Sequence, residues 1–131
     1  MSRNVRNLTI ILFVMMLFII SGCSAGGDVQ AQIVEQYLQA LVDQDGARVS
    51  SLSCKDWESS AIMEMDSFQA VEASLVDLAC VSGETVDDMT LVVCQGKIVA
   101  TYNEEQQELD LSLRSYQTIK DGAEWRVCGY R

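Results

Sequence analysis

Leu91-Val92-Val93-Cys94-Gln95-Gly96-Lys97-Ile98-Val99-Ala100-Thr101-Tyr102 is the stretch that decides the fold class of this chain. It is rich in Val, Ile, Leu and Thr, the residues that favour β-strands. Successive side chains of a strand point to opposite faces, so alternate positions share one face. The face expected to be buried holds Val92, Cys94, Ile98, Ala100 and Tyr102. The C-terminal half is therefore predicted to form a β-sheet.

Two shorter stretches downstream repeat this alternation. Leu109, Leu111 and Leu113 are separated by polar residues, the pattern of a half-buried strand. Trp125 and Val127 alternate with more polar neighbours in a final strand. The turns between these strands are predicted at residues 103–106 and 121–122.

Upstream of the sheet, apolar residues recur at the spacing of helices. Asp28 is predicted to cap a first helix from Val29 to about Val42, and Asp45-Gly46 to end it. A second, short helix is predicted from Ala47 to Ser53. The face of the first helix expected to be buried consists of Ile33, Val34, Tyr37, Leu38 and Leu41.

A third helix is predicted to start near Asp56, which would cap it, and to end near Phe68. Its inward residues are expected to be Trp57, Ala61, Ile62 and Met65. Residues 70–81 fit two structures. Val71, Leu75 and Leu78 have helical spacing, but the same stretch also forms two alternating runs offset by one residue, as in a strand with a β-bulge.

The first 23 residues have the pattern of an export signal. Arg3 and Arg6 precede an apolar run from Leu8 to Ile20, which is shorter than the roughly 20 residues of a membrane-spanning helix. Ile20-Ser21-Gly22-Cys23 resembles the lipobox of bacterial lipoproteins. That resemblance implies a signal peptide over residues 1–22, lipidation of Cys23, and attachment to the cell membrane or the outer membrane on the extracytoplasmic side. Residues 23–27 would form a flexible, lipidated tether.

Charge and composition exclude several function classes. After Cys23 there are seven basic and 19 acidic residues, a net charge of −12, which opposes binding to nucleic acid or anionic lipid. The chain has no histidine, which removes the commonest general base and most zinc sites. It also has no glycine-rich nucleotide loop. We expect no metal and no cofactor.

Four cysteines remain once Cys23 is set aside: Cys54, Cys80, Cys94 and Cys128. An even number in an exported chain indicates two disulfides, for which three pairings exist. No two of these cysteines form a CxxC pair, which disfavours structural zinc and redox catalysis.

Three helices followed by an antiparallel sheet of about four strands define an α+β layout, with the helices on one face of a curved sheet. This order resembles the nuclear transport factor 2-like, or cystatin-like, superfamily over residues 28–131. The resemblance rests on the amphipathic first helix, the short helix with Trp57, the strands, and the closing Glu124-Trp125-Arg126-Val127-Cys128-Gly129-Tyr130. It implies a cone-shaped domain in which residues 69–83 form a long, bulged first strand.

The layout implied by the resemblance also suggests the disulfide pairs. With a hairpin turning around residues 84–90, Cys80 and Cys94 face each other on neighbouring strands, where Cβ atoms are ~4.5–5.5 Å apart. Cys54 would then pair with Cys128 and join the short helices to the last strand.

The same resemblance implies a pocket between the helices and the sheet, for which the candidate residues are Tyr37, Trp57, Ile62 and Phe68. We expect a binding domain held at the membrane through Cys23, which takes a small apolar ligand, a protein partner or a second copy of itself. Leu91, Val93 and Val99, on the opposite face of the sheet, are candidate interface residues. The alternative is an isomerase- or dehydratase-like enzyme with Asp56, Glu64 or Asp66 as a general base.

Overall fold

The computed structural model describes residues 28–131; the predicted signal peptide, Cys23 and the tether lie outside them. Three helices come first, and they are α1 (Val29–Val42), α2 (Gly46–Leu52) and α3 (Glu58–Asp66). Five strands follow, namely β1 (Glu72–Val86), β2 (Met89–Tyr102), β3 (Glu105–Asp110), β4 (Ser115–Asp121) and β5 (Glu124–Tyr130). No helix in the described range has both the length and the apolar character needed to cross a bilayer.

All five strands belong to one antiparallel sheet with the order β1-β2-β4-β5. β3 pairs with the second half of β2, on the same side as β4 pairs with its first half. The α+β class with three N-terminal helices is confirmed, and the sheet has five strands rather than about four. The helices cover one face, where the core lies between α1 and residues such as Val92, Tyr116 and Val127.

The additional strand arises because the predicted strand over Leu109, Leu111 and Leu113 is broken. β3 ends at Asp110, whose Oδ1 accepts hydrogen bonds from the N–H and hydroxyl of Ser112, at 2.9 and 2.7 Å. Such local bonds compete with a strand ladder. Residues Leu111–Leu113 consequently form a 3₁₀ turn, in which Leu111 is fully buried and Leu113 is 78% exposed.

Two predicted helix boundaries are also wrong. α1 ends through Gln44, which has a left-handed backbone, while Gly46 starts α2 and Asp45 caps it by accepting a bond from the Arg48 N–H. Asp56 does not cap α3; a backbone turn in which the N–H groups of residues 57 and 58 bond to the Cys54 carbonyl leads into it. α2 ends at Leu52, because Ser53 forms an isolated β-bridge with Val127 of β5.

Burial follows the predicted faces of α1 and β2 with three exceptions, which are Ile33, Ala100 and Tyr102. Val34, Tyr37, Leu38 and Leu41 are fully buried on α1, and Ile33 is only partly buried. Val92, Cys94 and Ile98 are buried on β2, as expected. Tyr102 is 56% exposed instead, because it is the last residue of β2 and stands next to the turn at residues 103–104.

Residues 72–86 form a bulged strand, so the helical alternative for residues 70–81 is wrong. The register of β1 against β2 shifts between Val76 and Ala79, and Asp77 has a left-handed backbone. Gly96 lies opposite this bulge at φ +92°, where an added Cβ would stand 2.5 Å from the Val76 carbonyl oxygen. Glycine is required there by both its backbone angle and the space.

Replacing Gly96 by alanine is expected to lower the free energy of unfolding by about 2 kcal/mol, from strain at positive φ and contact with the bulge. Gly122→Ala is the matched control, because Gly122 also has a positive φ, +65°, but no atom lies within 4 Å of an added Cβ. Urea unfolding would compare the two. Equal losses would show that the close approach of the bulge has no effect.

The two disulfides in the structure are Cys54–Cys128 and Cys80–Cys94, with Cα–Cα distances of 5.2 and 4.0 Å. They are the pairs that the layout suggested. Cys80 and Cys94 face each other across β1 and β2. Cys54, between α2 and α3, is joined to Cys128 on β5, where its N–H also bonds to the Val127 carbonyl at 2.8 Å.

Two carboxylates, Asp28 at the start of α1 and Glu35 in its middle, cover part of the free edge of β1. Glu35 Oε1 accepts from the Cys80 N–H at 2.9 Å, and Asp28 Oδ2 from the Ser82 N–H at 2.7 Å. Asp28 Oδ1 additionally accepts from the Ser82 hydroxyl and, as the helix cap, from the Ala31 N–H. These bonds occupy N–H groups that would otherwise be available for pairing with another strand. They also hold the start of α1 against the sheet.

Asp28→Ala is expected to lower the free energy of unfolding by about 1–2 kcal/mol, whereas Asp45→Ala, which removes only a helix cap, lowers it by about 1 kcal/mol.

Burial raises the pKa of Asp28, but the bonds from Ser82 and Ala31 outweigh it and lower the pKa overall. The contribution of Asp28 is therefore present above the ordinary carboxyl pKa and is lost as pH falls through the lowered value. Urea midpoints measured below about pH 4 should fall more steeply for the wild type than for Asp28→Asn. Parallel curves would contradict this linkage.

Candidate functional site

The structure brings together two of the four predicted pocket residues. Tyr37 on α1 is fully buried, and its hydroxyl accepts a hydrogen bond from the Trp57 indole N–H at 3.1 Å. Ile62 and Phe68 are partly buried and pack against the core. The Phe68 carbonyl accepts a bond from the Gln44 side chain at 2.8 Å, which joins the end of α3 to the end of α1.

Of the three carboxylates considered as catalytic, only Glu64 reaches the interior. Its Oε2 accepts a hydrogen bond from the Tyr37 hydroxyl at 2.9 Å, and its Oε1 forms an ion pair with Arg114 Nη1 at 2.7 Å. Asp66 is exposed and accepts a bond from the Gln69 side chain, while Asp56 is exposed at the start of α3. Both oxygens of Glu64 thus accept hydrogen bonds from within the domain.

Arg114 stands between this carboxylate and a group of aromatic rings. Its guanidinium carbon lies 4.1 Å from the centre of the Tyr130 ring, a cation–π contact. Tyr130 packs edge-on against Trp57 and Tyr116, with ring centres 5.5 and 5.8 Å away. Burial alone would lower the pKa of Arg114, but its hydrogen bond to Glu64 and other neighbours raise it overall, so it remains cationic. We call Tyr37, Trp57, Glu64, Arg114, Tyr116 and Tyr130 the interior cluster.

The two buried tyrosines of the interior cluster stay protonated. Burial, with the negative charge of Glu64, raises the pKa of Tyr37 well above its usual range. Burial also raises the pKa of Tyr116 to about 12, and the Arg114 charge offsets part of the rise. The Tyr116 hydroxyl has no hydrogen-bond partner among the described residues. The cluster thus contains two neutral tyrosine hydroxyls beside the Glu64–Arg114 ion pair. This arrangement is suited to holding α1, α3 and β5 together.

Sequence reasoning found Tyr37, Trp57 and Glu64 but missed Arg114, Tyr116 and Tyr130. The alternation of Leu109, Leu111 and Leu113 with polar residues predicts a continuous strand with Arg114 on its polar side, whereas the 3₁₀ turn before Arg114 changes which way the following residues face. Tyr116 lies on the buried face of β4, where it alternates with less buried neighbours. That alternation is a usable signal, since Tyr116 and Thr118 stand two residues apart.

Cavities lie on the surface of the domain and have volumes of about 250 to 560 Å³. None of these five is lined by Tyr37, Trp57, Ile62 or Phe68. Within residues 28–131, no group of three or more acidic or cysteine side chains is placed to hold a metal ion. Between the helices and the sheet, the rings of the interior cluster pack against one another.

The face of the sheet turned away from the helices has a different composition. Val81 and Val93 face each other across β1 and β2 and are 56% and 43% exposed. Leu91 stands opposite Gln117 and beside the partly buried Ile119. We call these outward positions of β1, β2 and β4 the outer patch, which comprises Ala79, Val81, Leu91, Val93, Gln95, Ser115, Gln117 and Ile119. It contains no charged residue, although the chain has 19 acidic ones.

Val99 lies outside the outer patch, in the half of β2 that pairs with β3. Its neighbours there are charged, because it faces Glu108, which forms an exposed ion pair with Lys97 at 2.7 Å. At the other end of the outer patch, a cavity of about 330 Å³ has Met89, Leu91 and Ile119 in its wall, together with the charged Asp87, Asp88 and Arg131. Leu91 and Val93 therefore belong to the outer patch, with charged residues at its border, and Val99 does not.

No family model matches this chain, and no curated protein matches it. Solved structures with a similar fold include Bd1075 of Bdellovibrio bacteriovorus, at 13% identity and a TM-score of 0.51. Another is RPA3114, a SEC-C motif containing protein from Rhodopseudomonas palustris, at 10% identity and a TM-score of 0.52. Each match covers 76% of this chain, but only 38% of Bd1075 and 74% of RPA3114. At such identities the likeness is one of fold alone.

Proposed function

We propose that this chain is a membrane-anchored, extracytoplasmic lipoprotein whose α+β domain binds a protein partner through the outer patch. We further propose that the domain has the cone-shaped, nuclear transport factor 2-like fold, which the order of three helices, a bulged first strand and an antiparallel sheet supports. Two disulfides support an oxidising compartment outside the cytoplasm. The lipobox-like Ile20-Ser21-Gly22-Cys23 supports the anchor.

The observation that carries the binding function is the contrast between the two faces of the sheet. The inner face is filled by its own side chains, including the fully buried Tyr37 and Tyr116, which leaves little room for an apolar ligand. The outer patch carries no charge in a domain whose net charge is strongly negative, and Val81 and Val93 are exposed on it. Depletion of charge around exposed apolar residues is typical of the centre of a protein interface.

The anchor is tested by comparing the wild type with Cys23→Ala. The wild type is expected to carry added acyl mass on a chain that starts at Cys23 and to partition with membranes. Cys23→Ala should lose both, since two acyl chains are what make such attachment stable. A variant that still partitioned with membranes, next to a wild type of unmodified mass, would refute the anchor.

The outer patch is tested by placing a photo-crosslinking residue at position 93 of the full chain in the cells that make it. Gln32, exposed on α1, is the matched control position. We expect an adduct from position 93 and none from position 32, with a mass that shows whether the partner is a second copy or another protein. Adding Val81→Lys should abolish the adduct, because it puts a charge opposite position 93. Equal crosslinking at positions 93 and 32, or an adduct that survives Val81→Lys, would reject the outer patch as the interface.

A further inference from the structure

We infer that, given the lipid anchor proposed above, the domain lies against the bilayer through one particular groove. The groove has a volume of about 440 Å³ and lies between the start of α1, the end of α2 and the β4–β5 turn. Its apolar wall consists of Val29, Ile33, Leu52 and Trp125. We call these four residues the anchor groove.

The position of the tether favours this surface over others. Residues 23–27 span at most ~18 Å when fully extended, at ~3.5 Å per residue. The tether joins the domain at Asp28, which hydrogen bonds to Ala31 and Ser82 hold in place. Val29, the next residue, lines the anchor groove. The groove is thus the apolar surface next to the point where the chain leaves for the membrane.

The length of the sheet excludes the opposite end of the domain. Asp28 bonds to Ser82, which faces Val92 of β2, and β2 continues from there for ten residues to Tyr102 at the far turn. At ~3.3 Å per residue these ten residues span roughly 33 Å, well beyond the reach of the tether. When the anchor groove lies at the bilayer, Tyr102, at the other end of β2, therefore lies away from the bilayer.

The chemistry of the anchor groove suits the boundary between lipid headgroups and acyl chains. Trp125 combines a large apolar ring with a polar N–H, as side chains at membrane interfaces do, and Val29 is 48% exposed. Glu124 also lines the groove, and its carboxylate is paired with Arg126 at 2.9 Å, as is that of Asp121 at 3.4 Å. Because the domain as a whole is acidic, the lipid that it fits is zwitterionic rather than anionic.

The chain has two tryptophans, and this permits a direct test. Trp57 lies in the interior cluster, whereas Trp125 lies in the anchor groove. Lipidated Trp57→Phe, a chain that starts at Cys23 and keeps only Trp125, would be bound to phosphatidylcholine vesicles with and without brominated acyl chains. We expect lipid brominated near the start of its acyl chains to reduce the fluorescence about twofold, since bromine quenches a tryptophan that lies close to it and Trp125 is expected at the headgroup boundary. Trp125→Phe, which keeps Trp57, is the matched control and should be unaffected.

Vesicle flotation separates failure of this inference from failure of the anchor. Protein that floats with vesicles while Trp125 remains unquenched overturns the inference and leaves the lipid anchor intact. Lipidated protein that does not float overturns both the inference and the lipid anchor.

Hydrogen exchange of the wild type provides a second measurement that needs no substitution. Amides of residues 121–125 should exchange more slowly on vesicles than in the unlipidated chain, with residues 103–104 unchanged; equal slowing at both turns would also overturn the inference.

Discussion

Replacing Cys54 and Cys128 together by alanine is expected to lower the free energy of unfolding by about 4 kcal/mol, roughly twice the loss expected for Gly96→Ala. The bond closes a loop between residues 74 positions apart, and it removes more disorder from the unfolded chain than a short loop does. It is also the covalent link between the helical layer and β5. A domain of about 100 residues that loses this much is expected to melt well over 10 °C lower.

The matched control is the second disulfide. Cys80 and Cys94 are only 14 positions apart, so the double alanine variant is expected to lose about 3 kcal/mol. Both variants delete two sulfur atoms, and the difference between them therefore isolates loop length and position. Guanidinium unfolding of residues 28–131 in oxidising buffer would measure it. A larger loss for the Cys80–Cys94 variant would contradict the ranking.

Arg114→Met is expected to lower the free energy of unfolding by about 3 kcal/mol. The substitution keeps an apolar stem of similar length but leaves the Glu64 carboxylate in a largely buried position with Tyr37 as its remaining partner. It also removes the cation that lies over the Tyr130 ring. A buried charge left unpaired is costly because the interior solvates it poorly.

Lys97→Met provides the control for Arg114→Met. The Lys97–Glu108 pair has the same 2.7 Å separation, but its side chains are 38% and 54% exposed, against 22% and 14% for Arg114 and Glu64. An exposed pair is worth less than about 1 kcal/mol. Urea unfolding should therefore separate the two substitutions clearly, and losses of similar size would show that burial does not govern the Arg114–Glu64 pair.

A double-mutant cycle identifies the cause of the Arg114 effect. In Arg114→Met combined with Glu64→Gln, no charge is left unpaired, so the double variant should be more stable than the sum of the single losses by about 1–3 kcal/mol. Strict additivity would mean that the loss comes from packing on Tyr130 rather than from the ion pair. The cycle thus tests whether the interior cluster is held together by charge.

The contacts within the interior cluster favour the surface of the domain, rather than its inside, as the place where a partner binds. Tyr37 and Trp57 were predicted as pocket residues, and they do meet, but they bond to each other and pack with Tyr130 instead of lining an open space. Glu64 was predicted as a weak catalytic candidate, and its two oxygens are occupied by Tyr37 and Arg114. The outer patch and the anchor groove are accordingly the surfaces on which binding is proposed.

Local features of the fold were predictable from the sequence. α1 spans the predicted Val29–Val42 because its apolar residues recur at helical spacing behind a capping Asp28. β2 and β5 follow from alternation, and the two offset runs before Cys80 indicated the β1 bulge as one of two alternatives. The α3 boundary was misplaced at Asp56 because the turn that starts it is built from the Cys54 carbonyl, a backbone contact without a side-chain signature.

What the sequence determined by itself is the set of periodic segments, the even number of cysteines after Cys23 and the negative charge of that part of the chain. These are properties of near neighbours or of composition, and they need no knowledge of packing. Only the tertiary structure decided that Arg114 and Tyr130 meet Glu64 and Trp57, because those residues are 50 or more positions apart. Their meeting depends on the register across the sheet, and that register is set by the bulge in β1 and by the turn that Asp110 starts. A shift of one residue in either place would turn each following side chain to the opposite face.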